Sequence, residues 1–174
     1  MFDKSFLDEE AWLRQADQFE LAARIVYRKV ASRRRFRTER QRWQVVGCFK
    51  SALLLWAVSV ENTLKAVRVA RREVVIRNGK VMKETLGGGR SGHDLLLLAR
   101  EIRFDATDRE RDLLSRLTTV AMWAGKYQQP LYEAQYHDTK TLAPHRIISP
   151  RDGELVRGIV RKAKKLVKAA GEAA

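Results

Sequence analysis

Residues 43–69 read WQVVGCFKSALLLWAVSVENTLKAVRV, and this stretch sets the terms for everything around it. Its middle, from Ala52 to Val58, is almost entirely apolar. A surface helix carries one apolar stripe, whereas a helix that is apolar all round is enclosed by other elements. Val46, Phe49, Leu53, Trp56, Val60 and Val67 keep the spacing of one helix face, and Leu54, Leu55 and Val58 need cover from another direction. The stretch therefore predicts a central helix packed by at least two others. A membrane span needs about 20 predominantly apolar residues, and Lys50 and Glu61 close the run too early for one. Near the end of the stretch, Glu61 and Lys65 stand four apart, one above the other on the same face. Two readings are open for them: a helical salt bridge worth about 0.3–0.5 kcal/mol, or a pair lining a polar crevice where the helix leaves the core.

The rest of the chain supplies the packing partners. A first helix over about 8–37 opens with Asp8, Glu9 and Glu10 at its positive end. Trp12, Ala16, Phe19, Ala23, Val26 and Val30 give it a seam for a partner helix. The central helix spans about 42–72. Asn78-Gly79 between two β-prone runs signals a hairpin over about 73–83. Gly87-Gly88-Gly89 reads as a flexible loop. It lacks the Gly-Lys-Ser/Thr ending of a phosphate loop. A third helix over about 93–103 starts after Ser91 or Gly92 as N-cap. Thr107 and Glu110 form a capping box for a fourth helix over about 107–124, which buries Leu113, Leu114, Leu117, Val120 and Ala121. Gly125 suits its C-terminal turn. No helical period is sustained from Lys126 to Ile148; Ser149-Pro150 then opens a last helix over about 150–169. The expected fold is all-α: one domain over residues 1–174, an antiparallel up-and-down bundle of four to five helices with a small β-hairpin inserted after helix 2.

Charge narrows the function. The net charge is +14, a field that favours polyanions and steers their approach. Arg33, Arg34, Arg35, Arg37, Arg40 and Arg42 crowd the junction of the first two helices, and Arg161, Lys164, Lys165 and Lys168 line the last. The junction reads either as a solvated helix end or as a phosphate-contacting patch with Phe36 and Trp43 available for stacking. No DNA-reading motif, zinc finger or RNA-recognition signature accompanies it. No histidine pair at ligand spacing, no Cys-x-x-Cys and no Gly-x-Ser-x-Gly elbow is present, so no metal, cofactor or serine-hydrolase site is expected. The lone Cys48 allows no intrachain disulfide, and Met1 runs into Leu7-Asp8-Glu9-Glu10 with no apolar leader. A reducing cytoplasm is the expected location, with no membrane partner.

Three short pieces stand in a telling order: Glu61-Asn62-Thr63-Leu64-Lys65-Ala66, Gly92-His93-Asp94-Leu95 and Trp123-Ala124-Gly125-Lys126-Tyr127. Together, over roughly residues 8–168, they resemble the HEPN superfamily of small helical bundles. The first resembles that family's Glu-x-x-x-Lys-Ala pattern and the second its His-Asp-Leu at the next helix start. The third is similar to a Trp-x-Gly-Arg-Tyr-Pro element of some bacterial members, with Lys126 in place of the arginine and Gln128 in place of the proline. The resemblance implies a bundle of four or five helices, commonly a homodimer. It also implies an RNA-related or nucleotide-related role in bacterial defence, toxin–antitoxin pairs or stress responses.

Many HEPN members are metal-independent ribonucleases that use an arginine, a spacer of four to six residues and a histidine. No arginine stands at that distance before His93, His137 or His145; Arg90 is too close to His93, and before His145 the matching position is Lys140. Lysine cannot form the bidentate fork of arginine. The nuclease site is therefore not carried over, and His93 and His145 stay only as weak catalytic candidates. What carries over is a polar cluster of Glu61, Lys65, His93, Asp94, Lys126 and Tyr127, expected to converge at one end of the bundle or else to tie its loops down. The expectation is a non-catalytic HEPN-like protein binding RNA, another polyanion or a nucleotide-bearing partner through its basic faces. A ribonuclease with a degenerate site and an interaction module paired with a nucleotidyltransferase or antitoxin are the alternatives.

Overall fold

The computed structural model describes residues 6–31, 37–124, 126 and 151–172, with the side chain of Trp123 excepted. It contains five α-helices and one two-stranded antiparallel hairpin. The helices are α1 (Glu9–Ala31), α2 (Glu39–Ala70), α3 (Leu95–Glu101), α4 (Asp108–Thr119, continued by a π turn over Val120–Ala124) and α5 (Asp152–Glu172). The strands β1 (Ile76–Arg77) and β2 (Lys80–Val81) lie between α2 and α3. The all-α bundle with a hairpin after its second helix is the fold the sequence predicts. Arg33, Arg34, Arg35, Phe36, Gly125, Tyr127, His137, His145, Ser149 and Pro150 lie outside the described residues.

Helix α2 is the axis. Its 32 residues span roughly 48 Å at the usual helical rise. No residue of α2 before Ala52 is buried, whereas Ser59 to Val67 is buried without interruption. The expected face of Val46, Phe49, Leu53, Trp56, Val60 and Val67 is thus buried only from Leu53 onward; Val46 is exposed because neighbouring helices enclose only the later turns. Thr38 caps the helix, its Oγ1 accepting from the Gln41 amide at 3.2 Å. The start at Glu39, three residues earlier than expected, follows from that cap. By composition α2 also holds an 18-residue window of mean hydropathy 1.4, enough to cross a membrane. Its later turns are nevertheless enclosed by protein and carry the paired Glu61 and Lys65.

Small residues set how closely α1 approaches. Ala16 and Ala23 are fully buried, and the Ser59 hydroxyl donates to the Ala16 carbonyl at 2.8 Å across the interface. Of the expected α1 seam, these two alanines are buried and Trp12, Phe19, Val26 and Val30 are half-buried, with Leu13 taking a buried place instead. Helix α5 lies along the later half of α2: a Cβ on Gly153 would meet the Trp56 ring at 3.2 Å. The core joins Leu53, Trp56, Leu64, Leu98, Leu113, Leu117, Ile159 and Ala163 from four helices.

Ion pairs fasten α4 to α5. The capping box is formed, with Glu110 accepting from the Thr107 amide at 2.8 Å and Thr107 Oγ1 accepting from the Glu110 amide at 3.3 Å. The same carboxylate receives Lys162 of α5 at 2.8 Å. Burial pushes the Glu110 carboxyl up, but the Lys162 and Thr107 hydrogen bonds outweigh it and hold the group below its ordinary range. Arg116 donates to both oxygens of the buried Asp152 at 2.9 and 3.2 Å, and that carboxylate raises the guanidinium pKa against the effect of burial.

The hairpin turns on Asn78 (φ 51°) and Gly79 (φ 68°), the two left-handed residues of a type I′ turn. Gly87-Gly88-Gly89 differs from the flexible spacer expected. Gly87 and Gly88 are buried, and the Gly88 amide donates to Glu101 at 2.9 Å. A Cβ on Gly87 would stand 2.2 Å from that same carboxylate. The glycines are there so that the loop can lie directly on α3.

Candidate functional site

The polar residues of α2 sit deeper than the sequence suggests. Helix α2 does not leave the core at Glu61: Glu61 and Lys65 are only 7% and 6% exposed. Burial on this scale takes both charges out of water, and the geometry compensates. Lys65 Nζ donates to Glu61 Oε1 at 2.6 Å. His93, on the loop ahead of α3, places Nδ1 at 3.0 Å from Oε2 and 3.1 Å from Oε1 of the same carboxylate. An ionised carboxylate has no proton to give, so Nδ1–H is the donor. Nε2 then makes no hydrogen bond to a described residue.

Beside this triad lies an open cleft of about 550 Å³, lined by Lys65, Lys83, Glu84, Arg90, His93 and Glu101 and by the glycine-rich loop. Glu101 is already committed to Arg68 at 3.2 Å and to the Gly88 amide. The loop's inward amide is thus filled from within the chain, in keeping with the absence of a phosphate-loop motif. What the cleft offers is an oriented imidazole, a buried ammonium and two exposed cations at its rim.

The expected cluster is brought together in part. Glu61, Lys65 and His93 meet. Asp94 instead caps α3, its Oδ1 accepting from the Leu97 amide at 2.9 Å, which displaces Ser91 and Gly92 from that role. Asp94 stands immediately before the first residue of α3, the position from which a short polar side chain reaches the third amide. Lys126 is exposed after the π turn, and no hydrogen bond or ion pair joins it to Glu61, Lys65 or His93. Tyr127 and the weak candidate His145 lie outside the described residues. Among the described residues no group of histidine, cysteine and carboxylates is placed to hold a metal ion.

The second candidate is the far end of the α1–α2 pair. Residues 21–50 hold ten arginines and lysines against one carboxylate, Glu39, a net +9 of the chain's +14. Arg37, Arg40 and Arg42 are exposed, and among the described residues no carboxylate pairs with them. Arg33, Arg34 and Arg35 belong to this count by sequence and lie outside the described residues. Trp43 stands among these cations at 65% exposure, with Val46, Leu21 and Ile25 also exposed. The basic face of α5 is less available than its sequence implies. Lys164 is held by Asp17 at 2.6 Å and Lys162 by Glu110, while Arg161, Lys165 and Lys168 remain exposed.

Sequence reasoning passed over two of these features. Thr38-Glu39-Arg40-Gln41 is a capping pattern that would have placed the start of α2. The Asp17–Lys164 pair left no local signal, because its members are 147 residues apart. His93 and Glu61, 32 residues apart, belong to the expected cluster, and their contact depends on how α3 docks. Comparison of the chain with protein-family models, with curated proteins and with solved structures finds no match.

Proposed function

We propose that the chain is a non-catalytic binder of RNA or a similar polyanion, gripping phosphates with the basic end of the α1–α2 pair. The observation that carries this reading is the net +9 concentrated in residues 21–50, where Arg37, Arg40 and Arg42 are exposed. Cations committed to a fold are paired; Arg37, Arg40 and Arg42 are not. Phosphate contacts of this kind fix affinity and register without reading bases. The resemblance to the HEPN superfamily adds support for an RNA-related role in bacterial defence, a toxin–antitoxin pair or a stress response. In such a setting a homodimer, or a second protein carrying a nucleotide, is the fitting partner.

The test is a labelled single-stranded RNA titrated across a salt series, with the same samples run on a denaturing gel. Binding should weaken linearly on a double-logarithmic plot, by about 0.7 in slope for each phosphate contacted on a single strand. Replacing Arg37, Arg40 and Arg42 together by serine should flatten the slope by about two and leave the thermal midpoint unchanged. Absence of binding at low salt would remove the reading. One observation favours a second reading, a degenerate metal-independent ribonuclease: Glu61 holds His93 with Nε2 available beside the cleft. Shortened RNA on the gel, lost in His93→Ala, would replace the first reading with this one.

A further inference from the structure

We infer that Trp43 is a stacking platform for an unpaired base, so that the basic end of α1–α2 selects single strands over duplexes. The inference rests on the polyanion reading and names the form of polyanion. Arg40, Trp43, Gly47 and Lys50 follow one another at helical spacing along one face of α2. The indole is the most exposed large apolar side chain among the described residues, at 65%. Helical side chains lean toward the N-terminus, so a side chain at position 47 would cover the C-terminal side of the indole. Gly47 has none, and nothing lies within 4 Å of where its Cβ would be. The result is an exposed indole with open space at the next turn of its face, a cation one turn before it and another two turns after.

A glycine inside an exposed helix costs about 1 kcal/mol relative to alanine, and Gly47 gains no close packing in return. Keeping the indole open gives that cost a use. An aromatic plane between cations suits a nucleobase attached to phosphates, since stacking is indifferent to base identity and the flanking charges hold the backbone. A second copy of the chain is a poorer occupant. It would bring one net +9 end against another, and like charges at such a junction repel. In a duplex the bases are stacked on each other, so Trp43 has no base face to meet.

The full chain is titrated, at one salt concentration, with a single-stranded RNA, a duplex of the same length, inorganic polyphosphate and vesicles containing an anionic phospholipid. The variants are Trp43→Leu, Trp43→Phe and Gly47→Leu. Trp43 is largely exposed and Gly47 has open space, so all three should fold, with unchanged thermal midpoints or, for Gly47→Leu, a higher one. Trp43→Leu should lose at least about fivefold in single-strand affinity and nothing toward duplex or polyphosphate. Trp43→Phe should retain most of the affinity, and Gly47→Leu should lose it with the indole still present. If Trp43→Leu binds the single strand as tightly as the parent while salt-sensitive binding persists, stacking is wrong and the phosphate-binding reading stands. If no polyanion binds the parent, the reading beneath it is wrong. If Trp43→Leu changes only the oligomeric state or only vesicle binding, the indole serves a second copy or a lipid surface and the inference is overturned.

Discussion

The two halves of α2 carry charge in opposite ways. From Glu61 to Arg71 every charged side chain has a partner. Glu61 holds Lys65 and His93; Arg68 reaches Glu73, Glu101 and the Thr85 carbonyl; Arg71 donates to the Ile102 carbonyl. From Glu39 to Lys50, Arg40 and Arg42 are exposed and Lys50 is half-buried, and among the described residues no carboxylate meets them. The contrast separates charge that specifies a fold from charge left over for something that is not part of the chain. It also explains why net charge, read as one number, says so little. Most of the surplus is concentrated at one end, whereas the charges on the later turns of α2 are paired within the chain.

The sharpest way to break the comparison is to remove one member of a buried pair. Glu61→Leu leaves the Lys65 ammonium and the His93 Nδ1–H without their acceptor at a site under a tenth exposed. An uncompensated buried charge costs about 3–5 kcal/mol. The urea midpoint should fall accordingly, whereas Arg40→Gln at the other end should stay within about 0.5 kcal/mol of the parent. Glu61→Leu combined with Lys65→Met should recover most of the loss, because a buried pair replaced as a whole by apolar groups is often neutral. Equal costs for Glu61→Leu and Arg40→Gln would show that the two halves do not differ in the way described.

Acid offers a second, smaller test of the same contrast. The Glu110 carboxyl lies below its ordinary value of 4.5 because Lys162 and Thr107 together outweigh burial. A depressed pKa means that the folded chain holds this proton less tightly than the unfolded chain. The stability it contributes is therefore complete above the unfolded value and drains away as the pH falls from about 4.5 through the depressed folded value. The parent should be more stable than Glu110→Gln near neutrality, with the gap narrowing as urea melts are taken into that acid range. A gap that does not change with pH would mean that Glu110 acts as a cap alone, without its ion pair. No such acid dependence is expected from Arg40 or Arg42, which have no carboxylate partner to lose.

What was legible in the sequence was what local chemistry decides. Asn78-Gly79 required left-handed backbone at both positions and made the hairpin. Thr107 and Glu110 capped α4 as their spacing dictates. The all-α bundle followed from periodicity. What was not legible depended on docking. Glu61 and Lys65 looked like the place where α2 emerges, because a polar pair at helical spacing is most often at a surface. They are buried because neighbouring elements enclose these turns of α2, with His93 lying against Glu61. Val46 looked like core for the opposite reason, since a helical period does not record how far neighbouring helices reach. Asp94 was assigned to the polar cluster, where its own three-residue reach to the Leu97 amide had a prior use. In the candidate site, the sequence marked the residue types and the basic junction but not which cations were already spoken for.

That last distinction yields the smallest effect and the most discriminating one. Lys164 was expected to contact phosphates with Arg161, Lys165 and Lys168, yet Asp17 of α1 holds it at 2.6–2.7 Å. Both side chains are well exposed, at 35% and 56%, so the pair contributes no more than about 1 kcal/mol. Asp17→Asn should lower the thermal midpoint only slightly and return Lys164 to solution, adding one unit of positive charge beside three exposed cations of α5. If RNA is held at the α1–α2 end alone, affinity and salt slope in the titration should both stay at the parent's values, and that is the expected result. A tighter complex with a steeper slope would mean that phosphates run along α5 as well. The balanced part of the molecule would then be part of the interface, and the division between the two halves of α2 would describe packing without describing function.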